Sequence, residues 1–279
     1  MSPEVSLHGS IVPVILAGGA GRRLQPWSRA LFPKPFLRVR GRSLLQHTLE
    51  RVRESSPLIV CAYGCREHAR EQAAALNVDY HLLLEPCARN TAPAVAAAAA
   101  HILHHKGNQA WMLAMPSDHA IDDISSLKNM ANEAVDGRVP GIVSFGVRPS
   151  RASPRFGYIL EGRDGVAFHE KPDRRAARAL IDAGACWNSG VWLARVDNVR
   201  MIFRDLAPML WQKAEQAVVY ARHEGRETIL EPAYFSCMEP AAIDCVVMEK
   251  YPGLTCRVLQ SRWRDLGCWP SMIAYLCGF

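Results

Sequence analysis

An apolar run at residues 12–17 ends in Gly18-Gly19-Ala20-Gly21, and a glycine turn leaving a strand suits one kind of chemistry. Having no Cβ, glycine accepts positive φ and lets backbone amides come close to phosphate oxygens. Gly18, Gly19 and Gly21 are therefore candidate nucleotide-phosphate ligands, with a tight turn that binds nothing as an equal reading of this segment alone. Two well-known phosphate loops do not fit. Gly19-Ala20-Gly21-Arg22-Arg23-Leu24 carries Leu where a dinucleotide fingerprint needs Gly or Ala, and no GxxxxGK[ST] occurs. A second group, Pro116-Ser117-Asp118-His119, follows the apolar residues 110–115. Ligand groups in open α/β sheets gather at the carboxyl ends of strands, which places Asp118 beside the glycine turn. Asp118 also fits a helix N-cap, and Asp122 and Asp123 fit ordinary loop positions.

Other chemistries are disfavoured. The nine cysteines include no CxxC pair, and the ten histidines include no HExxH, so zinc and disulfide frameworks are not expected and any metal must rely on carboxylates. The net charge of +6 favours anionic ligands. Its basic residues form no stripe interleaved with aromatics, which argues against nucleic acid as a partner. No apolar run approaches the roughly 20 residues of a membrane span, and the first ten residues lack a secretory pattern, so a cytoplasmic protein without membrane contact is expected.

The elements that must position these groups follow from periodicity. Short apolar runs at residues 12–17, 58–62, 80–84 and 110–115 alternate with amphipathic stretches at 43–52, 67–76 and 91–107, the rhythm of strands joined by crossover helices. Ser43-Leu44-Leu45-Gln46 has the form of a capping box, and Gly107 marks the end of an alanine-rich helix. After about residue 141 the strands at 142–147, 158–160, 166–169 and 191–194 have long connections, which predicts mixed pairing. A helix is expected from Pro208 to about Glu224, and a late strand at 255–259. Trp111, Trp187 and Trp192 lie in or beside apolar runs and read as core. The expected architecture is a Rossmann-like three-layer α/β/α fold with a mixed, mostly parallel central sheet. Neither repeat nor linker divides it, so residues 1–279 read as one domain, with a topological boundary near 140.

With Gly18-Gly19-Ala20-Gly21-Arg22-Arg23-Leu24 followed by Pro33-Lys34, the chain resembles the sugar-1-phosphate nucleotidylyltransferases, whose signature is GGxGxRL and then PK. Further segments resemble the mannose-1-phosphate guanylyltransferase branch: Leu84-Glu85-Pro86 with Arg89-Asn90-Thr91, Pro116-Ser117-Asp118-His119, Phe156-Gly157-Tyr158, Glu170-Lys171-Pro172, Asn188-Ser189-Gly190, Ile243-Asp244 through Met248-Glu249-Lys250, and Trp263-Arg264-Asp265-Leu266-Gly267. The resemblance spans roughly residues 11–271, and so many motifs in order are far more specific than any single one.

The resemblance implies a nucleotidyltransferase fold, with residues 11–140 as the nucleotide half and 141–271 as the sugar half. It also implies that GTP and mannose 1-phosphate are joined into GDP-mannose and pyrophosphate by in-line attack on the α-phosphorus. Arg23 and Lys34 match phosphate-binding positions, Lys171 the position that neutralises the sugar phosphate, and Asp118 and Asp265 the two Mg²⁺ ligands. Gly157, Glu170 and Asn188 match the sugar pocket, and Glu85, Pro86, Arg89 and Asn90 the base-side segment. Gln25 and Pro35 depart from the branch pattern, which leaves open another sugar 1-phosphate, UTP or dTTP as substrate, or a nucleotide-binding relative without turnover. A homodimer is one assembly open to the chain.

Overall fold

The computed structural model of the chain describes residues 5–19, 24–25, 33–162 and 165–278. β1 (Ile11–Leu16) sends Val14 into one core and Ile11 and Ile15 into another, the period-2 pattern of a strand covered on both faces. After the short hairpin of β2 (Arg38–Val39) and β3 (Arg42–Ser43), Ser43 caps α1 (Leu44–Arg51). Its hydroxyl accepts from Gln46 N and the Gln46 amide oxygen accepts from Ser43 N, both at 3.0 Å, so the expected capping box forms. β4 (Leu58–Ala62), α2 (Arg66–Ala74) and β5 (His81–Glu85) continue the crossover rhythm. α3 (Thr91–Lys106) starts where the Asn90 side chain accepts from Thr91 N at 2.8 Å, and it stops at Gly107, whose φ is +81°.

β6 (Trp111–Pro116), β7 (His119–Ile121), α4 (Ile124–Asp136) and β8 (Ile142–Val147) follow. Next come β9 (Tyr158–Gly162), β10 (Gly165–His169), α5 (Arg174–Asp182), β11 (Cys186–Arg195), α6 (Val196–Leu206) and α7 (Pro208–Val219). The hairpin of β12 (Arg222–Glu224) and β13 (Glu227–Ile229), then α8 (Pro232–Phe235), a π-helical turn at Asp244–Met248, β14 (Leu254–Val258), β15 (Trp263–Asp265) and α9 (Trp269–Leu276), follow.

Eleven of these strands form one mixed sheet. Within it, β6, β1, β4, β5 and β13 lie side by side and parallel. β11 runs antiparallel to β6 and β8. Past an irregularity between Asn188 and Trp192, its start also pairs with β9, while β14 joins β8 in parallel. α1, α2 and α4 cover one face, and α3, α6, α7 and α8 the other, giving the expected three layers. Residues 92–100 of α3 are buried all round because the helix is sandwiched between the sheet and α6 and α7, where small side chains permit close approach.

Two expectations are corrected. The helix from Pro208 ends at Val219 rather than near Glu224, because Gly225, at φ +60°, turns the polar segment after it into the β12–β13 hairpin. The strand expected at 191–194 is longer, Cys186–Arg195, since Asn188-Ser189-Gly190 is an irregularity inside it rather than a break. Among the described residues, no helix is long and apolar enough to cross a membrane.

Candidate active site

The parallel strands end at one edge of the sheet, and there the chemistry collects. Leu16 is in register with Pro116, and Ser117 N donates to Leu16 O at 3.2 Å, so Gly18 and Gly19 leave β1 beside the residues that follow β6. Gly19 has φ +106°, and among the described residues no atom lies within 4 Å of where a Cβ would stand on Gly18 or Gly19. None of the described residues crowds these two backbones at the strand end, which suits a phosphate turn. Gly21 and Arg23 lie outside the described residues.

Asp118 and Asp265 meet because β15 pairs antiparallel with β7, setting Asp265 opposite His119. The contact is reinforced where Leu266 N donates to Asp118 O at 3.2 Å. Lys34, 8% exposed in a 3-10 turn at Lys34–Phe36, forms an ion pair with Asp118 and sets its Nζ 3.7 Å from Asp265 Oδ1. Burial pushes the Asp118 carboxyl upward, but the Lys34 ammonium, the His119 ring and its hydrogen bonds outweigh that and hold it below the usual range. Gly267 makes room for Asp265: a Cβ there would stand 2.6 Å from Asp265 Oδ1. The N-cap reading of Asp118 is corrected, because the cap of α4 is Asp123, whose carboxylate accepts from Ser125 N at 2.8 Å.

His119 is a third member of this group and lacked a role in the sequence reading. Its Nδ1 faces Ser189 O at 2.8 Å, and since a carbonyl only accepts, Nδ1 is the donor there. Nε2 then points at the carboxylates, 3.8 Å from Asp118 Oδ1 and 4.0 Å from Asp265 Oδ1. Gly190 permits this placement, because its Cβ would stand 3.3 Å from His119 Cε1. Asp118, His119 and Asp265 each offer a ligand atom within 4.8 Å of the others. Two carboxylates and an imidazole converging on one spot fit a divalent cation, with the oxygen donors suiting a hard one.

A cavity of about 250 Å³ opens next to this cluster and gathers Gly157, Glu170, Lys171, Asn188 and Asp265 from the sequence reading. Gly157 is required there, since a Cβ would stand 2.8 Å from Phe168 Cζ and 2.9 Å from Glu170 Oε2. Glu170 forms an ion pair with Lys171, whose backbone takes the strained φ of +44°. Desolvation works against the Lys171 charge, but Glu170 and then Asp244 hold its pKa above the ordinary value. Asn188 Nδ2 donates to Asp244 Oδ1 at 3.1 Å, and burial lifts the Asp244 carboxyl to about 6. Arg155 and Trp263 also line the cavity, the latter edge-on to His119 at 5.2 Å between ring centroids. Trp111, Trp187 and Trp192 are buried as expected, at 6%, 5% and 3% exposure. Asp244, Arg155 and Trp263 were legible only as letters within or near the quoted motifs; no spacing rule pointed to them.

The residues expected on the base side, Glu85, Pro86, Arg89 and Asn90, lie farther along the same sheet edge and do not line that cavity. Glu85 ends β5 and is 6% exposed, with no hydrogen-bond partner for Oε1 among the described residues, and burial raises its carboxyl to about 7. Pro86 follows it. Arg89 donates to Ser236 O, and Asn90, with φ +65°, caps α3.

Comparison with known proteins places this geometry in a lineage. The nucleotidyl transferase family model matches residues 12–277. The alginate biosynthesis protein AlgA of Pseudomonas syringae pv. tomato is 35% identical over 278 residues, covering 94% of this chain and 57% of that protein. The mannose-1-phosphate guanylyltransferase of Escherichia coli is 31% identical over 285 residues, covering 95% and 61%. The chain thus spans about three fifths of the length of the curated relatives it matches. The crystal structure of mannose-1-phosphate geranyltransferase from Thermus thermophilus superposes with a TM-score of 0.81 at 28% identity, covering 97% of this chain and 80% of that one. The motifs, the strand-end cluster and these likenesses agree: the chain belongs to the nucleotidyl transferase family, within its sugar-1-phosphate nucleotidylyltransferases and their mannose-1-phosphate guanylyltransferase branch.

Proposed function

We propose that this chain transfers the guanylyl group of GTP to mannose 1-phosphate, giving GDP-mannose and pyrophosphate. The observation that carries the reading is the convergence of Asp118 and Asp265 on Lys34 at the glycine-turn edge, next to a cavity lined by Glu170 and Lys171. Residues 11–140 form the nucleotide half and 141–271 the sugar half of one domain. Two polyanions must be brought together and aligned, so the reaction needs cations and positioning rather than a covalent enzyme intermediate. An oxygen of the sugar phosphate attacks the α-phosphorus, the bond to the bridging oxygen breaks, and pyrophosphate leaves with the electron pair.

Gly18, Gly19 and Gly21 present backbone amides to the triphosphate, and Arg23 and Lys34 neutralise it. Lys34 gives up its carboxylate partners for phosphate oxygens as substrate binds. Lys171 holds the sugar phosphate, while Glu170, Asn188 and the space kept by Gly157 receive the sugar hydroxyls. Glu85 accepts from guanine N1–H and N2–H₂, in a segment with Pro86, Arg89 and Asn90; a carboxylate oxygen with no hydrogen-bond partner among the described residues supports this reading. Asp118 and Asp265, with His119 beside them, would hold Mg²⁺, which when bound supplies electrostatic stabilisation of phosphate charge.

The test is pyrophosphate release with Mg²⁺ across GTP, ATP, UTP and dTTP, each with mannose 1-phosphate and other hexose 1-phosphates. GTP with mannose 1-phosphate should give the highest kcat/KM, and a panel in which another pair is equal or better overturns the substrate assignment.

A further inference from the structure

Away from the phosphate chemistry, two thiols from different strands meet over a residue without a side chain. Cys186 opens β11, Cys256 lies in β14, and β8 pairs with both strands. On β8, a Cβ at Gly146 would stand 2.8 Å from Cys256 Sγ, 2.9 Å from Cys186 Cβ and 3.7 Å from Cys186 Sγ. Glycine therefore leaves the space into which both side chains reach, so the two thiols approach each other across β8. Both are half-buried, so small oxidants can reach them. The neighbouring Cys256, helped by Arg148, brings the Cys186 thiol down to about 7 against the effect of burial, whereas Cys256 is pushed up. Cys186 is thus the nucleophile of the pair at neutral pH and Cys256 the proton donor.

The pair also adjoins the candidate site. Cys256 sits opposite Ser144 in the β8–β14 register, and Ser144 Oγ lies 3.4 Å from Asn188 Oδ1. Cys186 precedes Asn188 by two residues on one strand, hence on the same face, and Asn188 reaches the cavity and Asp244. We propose that Cys186 and Cys256 form a reversible dithiol–disulfide site, oxidised by a hydroperoxide, whose state sets the position of Asn188 and so the affinity of the cavity. The Cys186 thiolate attacks one peroxide oxygen, the O–O bond breaks, and water or an alcohol leaves after protonation, giving a sulfenic acid. Cys256 sulfur then attacks the sulfenic sulfur, the S–O bond breaks, and water carries off the hydroxyl and the thiol proton. Two thiols lose two electrons and the hydroperoxide gains them. A disulfide needs sulfurs about 2.05 Å apart, so closing the pair over Gly146 pulls the start of β11 toward β14 and strains the Asn188–Asp244 bond.

The experiment treats the full chain with hydrogen peroxide at neutral pH, alkylates it, and maps peptides without reduction. A linked peptide pair containing Cys186 and Cys256 is expected, reversed by dithiothreitol and absent from Cys186→Ser and Cys256→Ser. Both thiols remaining alkylatable, or Cys186 linked elsewhere, overturns the site. Loss of one hydrogen bond in the cavity corresponds to about a fivefold rise in KM for mannose 1-phosphate on oxidation, with KM for GTP unchanged and neither effect in the serine variants. This kinetic arm rests on the proposed function, while the peptide map does not. Amide hydrogen exchange at residues 186–190, which requires no substrate, should change on oxidation, and an unchanged pattern in the cross-linked protein overturns the coupling.

Discussion

Replacing Gly267 with alanine displaces one carboxylate of the pair without removing a charge. The added Cβ would lie 2.6 Å from Asp265 Oδ1 and 3.0 Å from Oδ2, while ordinary contact begins at 3.4 Å, so the nearer oxygen must retreat by 3.4 − 2.6 = 0.8 Å. The atoms that must give way are the far end of a flexible side chain. The Gly267 backbone lies outside the left-handed region, so alanine fits it and reduces the entropy of the unfolded chain. Stability should therefore hold or rise, by up to about 1 kcal/mol. At the site, misplacement approaching 1 Å costs on the order of a hundredfold in rate. Gly267→Ala should accordingly lower kcat for pyrophosphate release about a hundredfold and raise the Mg²⁺ concentration for half-maximal activity, with Tm at or above that of the parent. Activity and Mg²⁺ dependence both unchanged would refute the placement of Asp265 at the cation. A large fall in Tm would show instead that Gly267 is kept for packing.

Asp118→Asn keeps the shape of the side chain but removes the charge nearest Lys34, so turnover should fall at least about a hundredfold at saturating Mg²⁺ while circular dichroism stays native. Retained turnover would exclude it as a metal ligand. Lys171→Ala should raise KM for mannose 1-phosphate by about tenfold to a hundredfold, as expected for one charge-assisted contact, and leave KM for GTP alone; the reverse pattern would move Lys171 to the nucleotide side. Burial lifts the Glu85 carboxyl from 4.5 to about 7, so between those values the folded chain binds more protons than the unfolded one and loses stability as pH rises. Glu85→Gln should therefore be more stable than the parent by roughly 3 kcal/mol at pH 8, with the gap closing near pH 4.5. Urea melts at both pH values measure this, and a pH-independent gap would refute the origin of the shift in burial.

The continuous apolar runs of β1 and β6, the Ser43 capping box and the Gly107 stop are local rules, and the chain obeys them locally, which is why the sheet and its crossovers were readable from sequence. The convergence of Asp118 with Asp265 was not readable from spacing. It depends on the β7–β15 pairing, and those two strands are three residues each, too short for a periodic signal. The roles of Gly157, Gly190 and Gly267 were equally hidden, because each is fixed by how a side chain folds into the space a Cβ would fill, distant in sequence at Gly190 and two residues away at Gly267. The β12–β13 hairpin was lost to the helical pattern of α7, since β12, three residues of Arg, His and Glu, looks like a polar helix end until Gly225 is seen to turn. Ordered motifs filled part of this gap by naming Asp265 and Glu170, but gave no hint of Asp244 as the partner of Asn188.

The short β7–β15 ribbon has a bearing on when the protein becomes competent. A nascent chain that has reached residue 250 already holds every strand of the β6–β1–β4–β5–β13 ladder, yet Asp118 faces Lys34 without its distant partner. Domains assemble as synthesis proceeds, so most of the sheet can settle before the ribosome has added Trp263, Arg264 and Asp265. On the proposed function, competence waits for this ribbon to form, and a protease cut after residue 260 should abolish turnover while sparing most of the architecture.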